Sequence, residues 1–359
     1  MKYTYQNIEL IKEPEEFNKD TGKEILQYAL GGLLYMPANN QKIASKIISK
    51  DYAFIKSMVL DLEDSLGDDM VGFAHNNIKS TIEQLDEAVK EGKMAYEDIP
   101  LIFIRVRDRG QMSKTANMLK ENIKYITGFN IPKFDKDCCD DYILEFTKVK
   151  DAVNKLFNYK HKIYMMPIIE NKLAMYRQLR MDNLLYINNA LRPLHDYVLN
   201  IRVGGADFCS IFGIRRNIDE VIEDIGVVRS VFADIINVFG KSYVVSGPVW
   251  EYFERPSEES NGAWKKGLIN ELKADKQNGF VGKTSIHPSQ LPVIQESLIV
   301  NRRDYEDALS ILGMNTNTTG VQKSSNDGFG NYRMNEVKTH TNWARKTINL
   351  ANIYGVKEN

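Results

Sequence analysis

The chain has 359 residues, and its 47 basic and 48 acidic side chains nearly cancel, which excludes a nucleic-acid or polyanion surface as its main business. A hydrophobic share of 43% suffices for one large core or two modest ones. Three cysteines, two of them adjacent (Cys138, Cys139), fit neither a disulfide framework nor a zinc site, and no window nears the ~20 apolar residues of a membrane span. The charged start MKYTYQNIELIKEPEE lacks the apolar core of a signal peptide, so a cytoplasmic protein is expected.

Along the chain, short β-branched or aromatic runs recur: GLLYMPA (32–38), SMVLDLED (57–64), PLIFIRVR (100–107) and YITGFNIPKF (125–134). KIYMMPIIE (162–170), YVLNIRVGGAD (197–207), SYVVSGPVW (242–250) and GFVGKTSIHP (279–288) follow. Between them, stretches such as IKSTIEQLDEAVKEG and EVIEDIGVVRSVFADIINVFG carry apolar residues three and four apart, the spacing of one buried helix face. Strands alternating with helices imply parallel pairing, and near-continuous apolar strands imply burial on both faces. Eight such units predict an α/β fold, a closed (β/α)8 TIM barrel, rather than an open sheet.

After the eighth strand the pattern changes. LPVIQESLIVNRRDYEDALSILG predicts one or two helices, and NEVKTHTNWARKTINLANIYGV a last one. Between them a segment rich in Asn, Thr, Ser and Gly, at about 314–333, predicts a mobile loop. The expected division is a barrel over 1–300 and a helical extension or lid over 301–359.

In such a barrel the active site lies at the carboxyl ends of the strands. Those ends supply Asp61, Glu63 and Asp64, then Arg105 and Arg107, Lys133, Glu170, Asp207 and finally His287. Glu170 and Asp207 follow long apolar runs on neighbouring strands. Two hard oxygen ligands, with room for waters and a chelating substrate, suit Mg²⁺; capping of the following helices is the other reading. Gly204 and Gly205 would let a substrate approach the backbone. Arg105 and Arg107 share a face by alternation and either could clasp a carboxylate, or pair with the acids of DLED. GFVGKTS lacks the leading glycine of a phosphate loop, because Gln277 stands there. His75 reads as a helix-surface residue, the cysteine pair as packing, and Arg215 and Arg216 as either an anion site or a salt-bridged loop.

The ordered motifs LLYMPANN, VLDLEDS, IRVR, NIPKF, PIIE, GGADF and GKTSIHPSQ resemble the HpcH/HpaI aldolase and citrate lyase β-subunit-like superfamily. There the corresponding runs read LFVPG, LDLEDA, VRVN, LPK, IET, GSADL and GKxxIHPxQ. INVFGKSYVVSGPVWEYFE and MNEVKTHTNWARK look like a divergent branch encoded beside tellurium-resistance genes. The resemblance implies a Mg²⁺-dependent carbon–carbon bond lyase, of retro-aldol or Claisen type, acting on an oxo-acid or acyl-thioester-like anion. It implies a homo-oligomer, trimer or hexamer. By it Glu170 and Asp207 are the metal ligands, Arg105 binds substrate, and Glu63 and Asp64 organise water and Arg105. Lys133, Arg107, Gly204 and Gly205 line the substrate side, and Glu336 takes the place of an aspartate that moves a proton. Arg107 replaces the Asn of VRVN and adds charge at the mouth. A metabolite-binding barrel of the same fold without turnover is the competing expectation.

Overall fold

In the computed structural model, residues 1–254, 262–314, 320–324 and 332–358 are described. Each of the eight apolar runs contains one barrel strand. In chain order these are β1 (Gly32–Pro37), β2 (Ser57–Asp61), β3 (Leu101–Arg105), β4 (Gly128–Ile131), β5 (Tyr164–Ile169), β6 (Ile201–Val203), β7 (Val245–Ser246) and β8 (Lys283–Ser285). All pair in parallel with their chain neighbours, and β8 returns to β1 with Gly32 opposite Lys283. Backbone hydrogen bonds from Gly247 to the Gly282 carbonyl (3.0 Å) and from Val281 to the Val245 carbonyl (2.9 Å) close the ring between β7 and β8. The (β/α)8 expectation holds.

The strands are buried on both faces because helices cover the outside. The helix Val71–Lys90 shows how: Ala74, Ile78, Ile82 and Leu85 recur three and four apart and are all buried. His75 corrects the sequence reading. It sits on that inner face, 3% exposed, with Nε2 3.0 Å from the Thr115 hydroxyl. The cysteine pair packs as expected, Cys139 being buried and both thiols free.

The chain divides into two compact units, Met1 with Asn18–Ile294 and Lys2–Phe17 with Gln295–Asn359. The first holds the barrel. In the second, Leu10–Lys12 pairs antiparallel with Val356–Lys357, which pairs in parallel with Val300–Asn301. Residues 2–17, placed with the barrel by their position in the sequence, therefore belong to the unit that carries the final helices. Helices Arg302–Gly313 and Val337–Tyr354 pack through Ala308, Ile311 and Ala344. Of the loop expected at about 314–333, residues 315–319 and 325–331 lie outside the described residues. Val321–Lys323 pairs antiparallel with Met334–Glu336. Among the described residues no helix is long and apolar enough to cross a membrane.

Candidate active site

β2 ends on Asp61, and the chain then turns because the Asp61 carboxylate accepts the backbone N–H groups of Glu63 (3.0 Å) and Ser65 (3.2 Å). That turn faces Glu63 and Asp64 toward Arg105, the last residue of β3. Arg105 is held from three sides. Nε and Nη2 donate to the two oxygens of Asp61 at 2.6 and 2.7 Å, while Nη1 donates to Asp64 at 3.0 Å and lies 3.1 Å from Glu63. The two-pronged clasp thus falls on Asp61. Burial works to raise the Asp61 carboxyl, but the bonds and charge of Arg105 outweigh it and hold the group below the ordinary carboxylate range. Pairing of Arg105 with the acids of DLED is one of the two readings the sequence supports, and Asp61, the first of those acids, takes the clasp.

Lys133 follows β4 with φ of +50°, a left-handed conformation unusual for a side-chain-bearing residue. The turn aims its backbone N–H at Glu170 Oε1, 2.7 Å away, while its ammonium pairs with Glu63. Glu170 is the first residue beyond β5, whose six residues are all buried. Asp207 stands in the short helix Gly205–Ile211 that follows β6. Gly204 lies between these acids. A Cβ there would sit 2.3 Å from the Glu170 Cβ, 2.7 Å from Glu170 Oε2 and 2.9 Å from Asp207 Oδ2, so glycine is needed for close packing against Glu170 and the two oxygens are no further apart than the last two distances laid end to end. The missing side chain leaves the space they share. Burial, then the charge of Asp207, pushes the Glu170 carboxyl up to about 8. Burial, then Asp64, raises Asp207 as well. Among the described residues neither acid has an ion-pair partner.

The structure therefore brings together Glu63, Asp64, Arg105, Lys133, Glu170, Asp207 and Gly204. Gly205 is corrected: a Cβ on it would meet Ile222 at 2.5 Å and Pro248 at 2.7 Å, so its bareness serves packing and not substrate approach. Arg107 lies past the end of β3, pairs with the exposed Asp68, and lines a cleft of about 650 Å³ with Glu63, Asp64, Arg109 and Lys133. A second cleft of about 440 Å³ reaches Glu170 and Asp207, and Lys133 and Asp135 line both. His287 is engaged within its own loop, bonded to Ser289 at 2.8 Å and stacked on Phe253. Glu336 belongs to the second unit, where its backbone N–H donates to His340 Nδ1 at 3.0 Å at the start of the last helix.

Three or more metal-binding side chains do not converge anywhere among the described residues. A buried carboxylate and a half-buried one, both raised and sharing an open space, are nevertheless a donor set that fits a hard divalent ion, which keeps several waters and takes one or two carboxylates. Neutralising their repulsion is what such an ion would do there.

Cations and carboxylates gathered at the carboxyl ends of eight parallel strands are the layout of a TIM-barrel enzyme. Residues 24–356 match the family model for the C–C bond lyases of the TIM-barrel fold, and the chain belongs to that family. A search of curated proteins finds no match. Among solved structures the chain resembles CitE from Mycobacterium tuberculosis in complex with magnesium, acetoacetate and coenzyme A. That match has 17% identity and a TM-score of 0.54, over 90% of this chain and 99% of that one. It also resembles the citrate lyase β subunit of M. tuberculosis complexed with oxaloacetate and magnesium (18%, TM-score 0.48, over 76% and 98%). RipC from Yersinia pestis is a further match (14%, TM-score 0.46, over 76% and 95%). At these identities the likeness speaks for the fold.

Proposed function

We propose that this member of the C–C bond lyase family cleaves or forms a carbon–carbon bond β to a carbonyl in a small anionic oxo-acid or acyl thioester, with Mg²⁺ held by Glu170 and Asp207. The observation that carries the reading is the pair of uncompensated carboxylates facing each other across Gly204. The crystallised CitE relative with magnesium, acetoacetate and coenzyme A supports the same class of ligand. The ion, when bound, would polarise the substrate carbonyl.

The protein's own groups do the rest. Arg105 is anchored through Asp61 and keeps N–H capacity for a substrate carboxylate and for the negative charge that develops as the bond breaks. A donor fixed in advance is worth more than one that must reorganise. Glu63, raised by burial although its bond from Lys133 opposes the shift, is placed to pass a proton through water. Lys133 keeps Glu63 and Glu170 in register from one residue. Glu336 is the second proton carrier proposed, acting on its own barrel or on a neighbouring copy in a trimer or hexamer.

The test is a retro-aldol screen for 2-oxo products with and without Mg²⁺. Turnover that needs the ion supports the lyase. Mg²⁺ and oxaloacetate binding without turnover would leave a metabolite-binding barrel instead. For Glu336, mixing Asp207→Ala with Glu336→Gln protein should restore part of the activity if the residue serves a neighbour.

A further inference from the structure

Below the mouth lies a buried arginine that the proposed reaction does not use. Arg202, in the middle of β6, is 1% exposed and fills the barrel interior. Among the described residues it makes no ion pair. Its Nη2 donates to the Thr284 hydroxyl of β8 at 2.6 Å, its Nη1 lies 3.5 Å from Asn200 Oδ1, its charge acts on the Tyr35 side chain of β1, and its Nε has no partner. A cation taken out of water without a counter-ion is retained at a cost and calls for a reason.

Tyr35 supplies the link. Its hydroxyl accepts a hydrogen bond from the Asn130 amide of β4, which fixes the ring from that side, and the Arg202 charge on β6 acts on the same side chain. Its face lies 5.3 Å from the Arg105 guanidinium carbon. A cation over an aromatic face is attracted to it, and here the face also sets the plane in which Arg105 meets Asp61. The charge finds its reason one level up: Asp61, Glu63, Asp64, Glu170 and Asp207 outnumber Arg105 and Lys133 at the mouth.

We propose that Tyr35 and Arg202 are positioning residues for Arg105: Arg202 and Asn130 lock the Tyr35 ring, and the ring holds the guanidinium in the plane that keeps its outward N–H groups free for substrate. The inference rests on the lyase reading only where it calls Arg105 the substrate-binding group.

The experiment follows the Arg105 Nε–H signal in protein labelled with ¹⁵N-arginine, identified by its loss in Arg105→Lys. Wild type should show a slowly exchanging signal. Arg202→Met and Tyr35→Leu should shift it and speed its exchange at least tenfold, and Tyr35→Phe, which keeps the ring, by about threefold. With Mg²⁺ present, calorimetry should find oxaloacetate binding weakened about tenfold in Tyr35→Leu and Mg²⁺ binding changed by less than twofold. An Arg105 signal unaltered in Tyr35→Phe overturns the proposal, and that variant removes one oxygen, so it decides the matter even where Arg202→Met does not fold. A matching loss of Mg²⁺ affinity in Tyr35→Leu also overturns it, since general loosening would then explain both. If wild type binds no Mg²⁺, the lyase reading falls and the Arg105 signal still judges this one.

Discussion

Two clusters of acids and bases in the barrel unit, one at the mouth and one on the flank, differ in one respect. At the mouth, Asp61 and Glu170 are as buried as core residues, yet Lys133 and Asp64 keep side chains 60% and 54% exposed, so the cluster opens on the clefts. On the flank, Arg216, Glu223, Glu271, Asp275 and Lys283 are all at most 5% exposed. Lys283 pairs with Glu271 at 2.8 Å and Asp275 at 2.7 Å. Arg216 pairs with Glu271 and Glu251 and lies over the Trp250 ring at 4.7 Å. Similar side chains do different work. On the flank each cation is shared between acids and sealed by packing, which ties the segment before Ile222 to β8 and the helix Ala263–Gln277. At the mouth two acids are left facing an open space without a cation. Charge density alone does not mark a site; the unpaired remainder, reached by solvent, does.

The largest effect expected from breaking this contrast is on the flank. Lys283→Met leaves Asp275 without its cation and Glu271 with Arg216 alone, and should lower stability by about 3–5 kcal/mol, the range for removing one partner of a buried pair. The urea midpoint measures it, and a loss below about 1 kcal/mol would mean that the cluster is not the brace described. At the mouth the same kind of deletion should spare the fold. Asp207→Ala should abolish Mg²⁺ binding by calorimetry, an affinity loss of at least about 100-fold or about 2.7 kcal/mol, with the thermal midpoint held. Stoichiometric Mg²⁺ in that variant would remove the metal assignment.

The adjacent glycines sharpen the comparison within one turn. In Gly204→Ala the new methyl would meet the Glu170 Cβ at 2.3 Å and crowd both carboxylates, so Mg²⁺ affinity should drop about tenfold, equal to about 1.4 kcal/mol, and stability should fall as well, whereas Gly205→Ala should leave Mg²⁺ affinity within about twofold. In Gly205→Ala the methyl meets Ile222 and Pro248, and stability should fall by about 1–3 kcal/mol, as overpacking does. Equal behaviour of the two variants in both measurements would erase the distinction drawn between them.

Much of this was legible in the sequence because strands buried on both faces are written as unbroken apolar runs. The residue ending such a run is then fixed in place: Asp61, Arg105, Glu170 and Asp207 could be gathered at one rim before any coordinates. What was not legible depends on side-chain direction across the barrel. Nothing in IRVGG tells that Arg202 points inward to Thr284, nor does GKTS tell that Lys283 points outward to Asp275. Arg216, read as either an anion site or a solvated loop, proves to be 3% exposed and paired with two glutamates. Its partners are 35 and 55 residues away in the chain, beyond the reach of any local pattern. The pairing of residues 10–12 with 356–357 was hidden for the same reason.

The smallest effect tests how completely the flank is sealed. Glu223 and Asp275 meet there with both Glu223 oxygens and Asp275 Oδ1 lacking hydrogen-bond donors. Burial, then each other's charge for Glu223 and the opposing pull of Lys283 for Asp275, leaves both carboxyls raised. A carboxyl whose folded pKa lies above its unfolded value binds more protons in the native state. Its contribution to stability is therefore fully present below about pH 4, the unfolded range, and is lost as pH rises through neutrality toward the folded value. This is opposite in sign to the usual salt-bridged acid, and Asp61 supplies that usual case: its folded value is lowered, so its contribution is present above the unfolded range and lost on acidification. Glu223→Gln should flatten the alkaline decline, giving about 1 kcal/mol more stability than wild type at pH 9 and little difference at pH 5, read from urea midpoints at the two pH values. A decline of the same slope in both proteins would mean that water reaches Glu223, and the flank would then be no more sealed than the mouth.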